Sequence, residues 1–158
     1  MIRLATALTL LATPVSALSC LPPDAQRLYT QAAESDAPFA IAIGRLWPEE
    51  PIAVPVIPED GSAPARKEIT TRVRMTGHLL DARDFATPFE TEIDVRVTCL
   101  SIWCGAPVTD RDILAALRLT EDTPELEIGP CGGNAMPLDG ADLDALLDCH
   151  RSGDCGER

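Results

Sequence analysis

Cations, aromatics and long apolar runs are scarce in this chain. Its 158 residues include a single lysine, Lys67, and 13 lysines plus arginines stand against 25 acids, for a net charge of −12. Duplex nucleic acids are held through clustered Lys and Arg, so this balance excludes a duplex nucleic-acid binder. Aromatic residues make up 4% of the chain, too few to fix a core by ring packing alone. No apolar run reaches the roughly 18–20 residues that cross a bilayer as a helix, so no transmembrane segment is expected. There is no G-x-S-x-G, no Ser/His/acid order, no C-x-x-C and no N-x-Ser/Thr acceptor. These absences exclude the nucleophile-elbow hydrolases and thioredoxin-like redox enzymes, and leave glycosylation without a site. At 46% hydrophobic and without low-complexity tracts, the chain is globular rather than disordered.

What is present first is an export pattern. Arg3 is the only charge ahead of the apolar stretch Leu4–Ala12, Pro14 breaks that stretch, and Val15-Ser16-Ala17 supplies small residues. This order predicts a signal peptide over 1–17 and a single mature domain over 18–158, periplasmic or secreted. Ala17-Leu18-Ser19 also puts small residues at −3 and −1, so a cut that leaves Cys20 as the first residue is the alternative end of the leader; Ala17-Leu18-Ser19-Cys20 also faintly resembles a lipobox, which would put a lipid anchor at Cys20.

Six cysteines follow: Cys20, Cys99, Cys104, Cys131, Cys149 and Cys155. An even number in an oxidising compartment predicts disulfides. His78 and His150 are far apart in sequence and no metal-ligand spacing is present, so neither a metal nor a cofactor is expected. Asp139-Gly-Ala-Asp142-Leu-Asp144 lacks the order of a calcium loop and reads as a helix start capped by Asp139. Gly132-Gly133 reads as a tight turn after Cys131, not a phosphate loop.

Pro22-Pro23-Asp24 predicts a short helix to about Glu34, with proline in its first turn. Phe39–Trp47 reads as a strand with Phe39, Ile41, Ile43 and Arg45 on one face and a bulge or bend at Gly44. Residues 48–67 hold five prolines and predict an irregular surface loop. Period-two alternation over Ile69–Leu80 and Phe89–Cys99 predicts two strands joined by a loop at 81–88, with arginines of the first facing acids of the second. Ile113–Leu119 and Glu125–Pro130 read as a second hairpin across a turn at 121–124. Gly140–His150 reads as a helix with Leu143, Leu146, Leu147 and His150 on one face, ended by Gly153. His150 at the end of that stripe is a packed or dipole-stabilising residue rather than a catalyst. The fold class expected from this order is mostly β: a small five-stranded OB-like barrel with an N-terminal and a C-terminal helix, stapled by disulfides.

Three pieces of the chain resemble the netrin-like module of tissue inhibitors of metalloproteinases. They are Cys20-Leu-Pro22 with Gln26 and the strand FAIAIGRL, then Ser101-Ile102-Trp103-Cys104-Gly105 as a Cys-Gly connector, then ILAALRL, a turn, ELEIGPCGGNAMPL, a helix and Cys149. The resemblance implies an OB-like barrel with flanking helices. It also implies an inhibitory edge in which an amino-terminal Cys chelates a protease zinc beside the connector. The matching residues are Cys20, Ser101, Ile102, Trp103 and Cys104. Position 22 is Pro where the family's inhibitors have a second Cys, and the leader cut after Ala17 leaves two residues ahead of Cys20.

For the disulfides, Gly153 lets Cys155 fold back to Cys149. Strands 89–99 and 125–130, lying side by side, end at Cys99 and Cys131, and the resemblance joins Cys20 to the connector. The expected scheme is therefore Cys20–Cys104 and Cys99–Cys131, with Cys99–Cys104 and Cys20–Cys131 as the rival. With no nucleophile–base constellation, the expected function is an exported, noncatalytic binding or interaction module for an unknown protein or small ligand. The alternatives are a metalloprotease inhibitor acting through Cys20 and, more distantly, a secreted hydrolase using paired acids.

Overall fold

The computed structural model describes residues 19–58 and 66–155; the expected leader and positions 59–65 of the proline-rich segment lie outside them. In chain order the elements are α1 (Ala25–Ala33), β1 (Phe39–Trp47), β2 (Arg66–Leu80), β3 (Phe85–Leu100), β4 (Trp103–Cys104), β5 (Ile113–Arg118), β6 (Glu125–Ile128), β7 (Ala135–Pro137) and α2 (Leu143–Ser152). β1, β2 and β3 form an antiparallel meander. β6 runs parallel to β3 from Asp94↔Glu125 to Val97↔Ile128, and β5 pairs with β1 from Phe39↔Arg118 to Gly44↔Ile113. The order β1-β2-β3-β6-β5 thus returns to β1 and closes a five-stranded, OB-like barrel, with β7 added to β5.

The alternating strands send one face inward. Val73 and Met75 of β2, Ile93, Val95 and Val97 of β3, and Leu126 and Ile128 of β6 fill the barrel with Ala42 and Leu46 of β1. The reverse side of β1 and β5 is not wet. Ile41, Leu114 and Ala116 pack under Ala25 and Leu28 of α1 and Leu146 of α2. This explains the unbroken apolar run of β5: a strand covered on both faces has no polar side to alternate with. Gly44 and Gly77 lie opposite each other where β1 crosses β2. The β1–β2 pairing runs unbroken through Gly44, so the backbones meet in close contact there rather than in a bulge. A Cβ on Gly77 would sit 2.0 Å from the Ile43 carbonyl oxygen, so only glycine permits this approach.

Several expectations are corrected. Cys20 is bridged to Cys131 and Cys99 to Cys104, so the rival disulfide scheme holds; Cys149–Cys155 is as expected. The reason is local: Cys99 and Cys104 are directly opposite in the β3–β4 ladder, while the turn after β6 carries Cys131 away from β3 to Cys20. In this structure the Cys20 sulfur, where the lipid anchor was the alternative, is taken up by the bridge to Cys131. The second hairpin is reduced to one pair, Arg118↔Glu125, because β6 lies beside β3 instead. β2 starts at Arg66 and β3 at Phe85, so the 48–67 loop is irregular over its described part, 48–58, and the β2–β3 turn is shorter than 81–88. The prolines at 22 and 23 precede the helix, and Asp24 caps it by accepting from Arg27 N. Asp142, not Asp139, caps α2; Asp139 sits in a single 3-10 turn over Leu138–Gly140. Gly153 ends α2 in the left-handed conformation, as expected.

Candidate functional site

Two surfaces of the barrel are candidates, and they differ in chemistry. On the outer wall of β2, β3 and β6, joined by Arg118 at the end of β5, ionic residues point outward. Arg72 holds Asp94 through two nitrogens at 2.9 and 3.1 Å, Arg74 reaches Glu90 at 3.1 Å, and Arg118 holds Glu125 at 2.8 Å. Arg96 bridges Glu125 at 2.6 Å and Glu127 at 3.0 Å, leaving its buried Nε without a partner. The hydrogen bond and charge of Asp94 raise the Arg72 pKa above its ordinary value. The wall neutralises itself, as the Arg/acid facing of the two strands predicted.

A second, more apolar surface is found at one end of the barrel, where β3 and β6 finish and β4 begins, with Arg66, Lys67 and Glu68 of β2 alongside Leu100, Cys99 and Thr98. Leu100 pairs with Trp103, so Ser101-Ile102 is a two-residue hairpin turn, and Ser101 adopts φ 54°, a left-handed value rarely taken by a residue with a side chain. The Cys99–Cys104 bridge locks the base of this hairpin. Gly105 follows, donating to the Thr98 carbonyl at 2.9 Å and lying so close to β6 that a Cβ would be 2.1 Å from the Ile128 carbonyl oxygen. Ile102 and Trp103 at the tip are 59% and 51% exposed.

Beside the hairpin a cleft of about 250 Å³ opens between the Cys20–Cys131 bridge, Ala106, Val108, Pro130 and Met136. Its shape comes from the turn after β6, where Gly132 and Gly133 adopt φ 92° and 69° and Asn134 N returns to the Glu127 carbonyl. The tight turn expected at Gly132-Gly133 is therefore present. No ionisable side chain lines the cleft. The described residues whose pKa is displaced lie elsewhere. Backbone N–H groups of Arg83 and Asp84 lower Asp81, and Arg111 lowers Asp110, while Asp110 raises Arg111.

Of the sequence-predicted edge, Ser101, Ile102, Trp103 and Cys104 are one hairpin, whereas Cys20 lines the cleft and is tied to Cys131 rather than to Cys104. His150 is structural: Nδ1 meets the Tyr29 hydroxyl at 2.9 Å and Nε2 meets the Asp81 carbonyl at 2.7 Å, joining α1, α2 and the β2–β3 turn. Asp139 pairs with Arg111 at 3.2 Å and Asp142 accepts from Ala145 N, so both are engaged within the fold. Among the described residues no cluster of three His, Cys, Asp or Glu has a metal-holding arrangement.

Reading by motif missed the cleft residues. The available signal was an absence of charge: runs 97–109 and 128–138 contain no Asp, Glu, Lys or Arg in a chain that is 24% charged. The fold brings those two runs together at one end. No family model, curated protein or solved structure matches the chain.

Proposed function

We propose that this chain is an exported, noncatalytic binding module whose contact surface is the end of the barrel that carries the bridged hairpin and the apolar cleft. The observation that carries the reading is the hairpin closed by Cys99–Cys104, at whose tip Ile102 and Trp103 stand exposed. A large aromatic fixed before binding loses little freedom on contact, which is the property of an interface anchor. Backbone strain at Ser101 supports the same reading, because a costly φ is retained where the fold or the function requires it. Export is supported by the leader pattern at 1–17 and by six cysteines joined in three bridges. The test is capture from periplasmic or extracellular extract by immobilised protein. Trp103→Ala should lose what the parent and a Trp47→Ala control retain; equal capture by all three would reject this surface.

A second reading is inhibition of a metalloprotease through Cys20. One observation favours it: a barrel with helices at both chain ends is what the netrin-like resemblance implies. The Cys20–Cys131 bridge departs from the pairing that the resemblance implies. Mass spectrometry of the mature amino terminus decides: chelation requires Cys20 as the first residue, and a start at Leu18 rejects it.

A further inference from the structure

The end that carries the hairpin collects apolar side chains from three separate stretches of the chain. Among the described residues nine large apolar side chains are exposed, and six of them stand here: Leu21, Val54, Val56, Leu100, Ile102 and Trp103. Leu100 and Trp103 pair in the β3–β4 ladder, with Ile102 in the turn between them. Leu21 lines the cleft beside the Cys20–Cys131 bridge. Val54 and Val56 flank Pro55, whose carbonyl oxygen lies 4.0 Å from Cys104 Sγ. The cations of this end are engaged within the fold: Lys67 Nζ donates to the Val56 carbonyl at 2.7 Å, and Arg66 lies 3.5 Å from Glu127. What the end offers a partner is therefore apolar contact rather than free charge. We infer that this end docks on the surface of a lipid bilayer, with Ile102 and Trp103 in the headgroup region. The inference rests on the export reading and on reading this end as the contact surface, and adds the identity of the partner.

Two observations select lipid. The first is where the chain enters the fold. Cys20 is pinned to this end by Cys131, and it stands eight positions beyond Ala12, the last residue of the apolar run in the leader pattern. Eight residues of extended chain span at most about 30 Å. A leader inserted in a membrane thus brings the protein to the bilayer surface by this end. The second is the make-up of the patch. A bilayer takes up apolar side chains from separate stretches without demanding a matched shape, and tryptophan is enriched where hydrocarbon meets water. The Trp103 indole N–H has no partner among the described residues, so it is free to meet a headgroup oxygen while the ring lies among the chains. Six side chains make a reversible, peripheral contact, since even a single myristoyl chain binds only marginally.

Flotation of the purified mature protein with phosphatidylcholine vesicles tests this. The protein should float with them. Ile102→Ser combined with Trp103→Ser withdraws two exposed side chains and should weaken partition at least about tenfold. The chain holds two tryptophans, so each can be read alone. In Trp47→Phe, the emission of Trp103 should move to the blue on adding vesicles and be quenched by lipids brominated on their acyl chains. In Trp103→Phe, Trp47 should respond to neither. Because the chain carries −12, added phosphatidylglycerol should weaken binding, and salt should restore it by screening the repulsion. No flotation with either vesicle overturns the inference, as does quenching of Trp47 instead of Trp103. Binding that requires phosphatidylglycerol and is lost in salt also overturns it, since charge would then hold the protein. Trp103-dependent capture from membrane-free extract without flotation would overturn lipid as the partner and leave the contact surface standing; loss of both would reject the surface itself. The two Trp→Phe variants keep the test decisive if the double serine variant fails to fold.

Discussion

The two tryptophans of this chain are about equally exposed, 45% for Trp47 and 51% for Trp103, and are treated in opposite ways. Trp47 donates its indole N–H to Thr76 Oγ1 at 2.8 Å and lies 5.8 Å from the Arg45 guanidinium, which in turn holds Asp112. Trp103 has no hydrogen bond from its indole among the described residues. The same contrast separates the surfaces on which they stand. On the ionic side, side chains find their partners within the molecule, so a ligand there would have to displace them. At the hairpin end, Ile102 and Trp103 stand exposed beyond the Cys99–Cys104 bridge.

The largest expected effect concerns what holds the hairpin and cleft in place. Replacing Cys20 and Cys131 together by Ala opens a loop with a sequence separation of 111; chain-entropy scaling predicts a loss of about 5 kcal/mol in urea unfolding. Opening Cys99–Cys104, with a separation of 5, should cost only about 2 kcal/mol but should abolish capture, because the tip is no longer preorganised. If the short bridge affects stability and leaves binding intact, the locked hairpin is not the anchor.

On the ionic side the order reverses, with stability affected and binding spared. Arg96→Ala leaves Glu125 and Glu127 facing each other without their shared cation and should cost about 2 kcal/mol. Arg72→Ala removes a more exposed pair and should cost less than about 1 kcal/mol, fading with added salt. Neither should change capture.

The smallest effect is a pH dependence at the β2–β3 turn. The Arg83 and Asp84 backbone N–H groups hold the Asp81 carboxyl below its ordinary value of 3.8. A lowered folded pKa favours the charged form in the folded state. Its stabilisation is therefore fully present above 3.8 and is lost as pH falls through the lower folded value. NMR titration of the Asp81 carboxyl should give a midpoint under 3.8, and Asp81→Asn should remove this contribution from the acid limb of stability.

The barrel was legible because its strands have one wet and one dry face: Val73 and Met75 alternate with arginines, and Ile93, Val95 and Val97 alternate with acids and Arg96. The helix stripe through Leu143, Leu146 and Leu147 was legible for the same reason. The disulfide pairing was not. Alternation places β3 beside β6 but does not say which way the chain turns after Ile128, and that turn decides whether Cys131 meets Cys99 or Cys20. Asp139 and Asp142 are both acceptable caps by residue type, and only the intervening 3-10 turn separates them. In the candidate site, the hairpin residues 101–104 were visible as a connector. The cleft was not, because its walls come from runs whose only common feature is the lack of charge.

The most direct test of the account is oxidative footprinting of Trp47 and Trp103 in the same molecules, first in purified protein at low concentration and then in concentrated exported extract. Matched exposure makes each tryptophan the control for the other. The account predicts protection of Trp103 in extract with Trp47 oxidised at its original rate. Protection of Trp47 with Trp103 unchanged, or of neither, would contradict it.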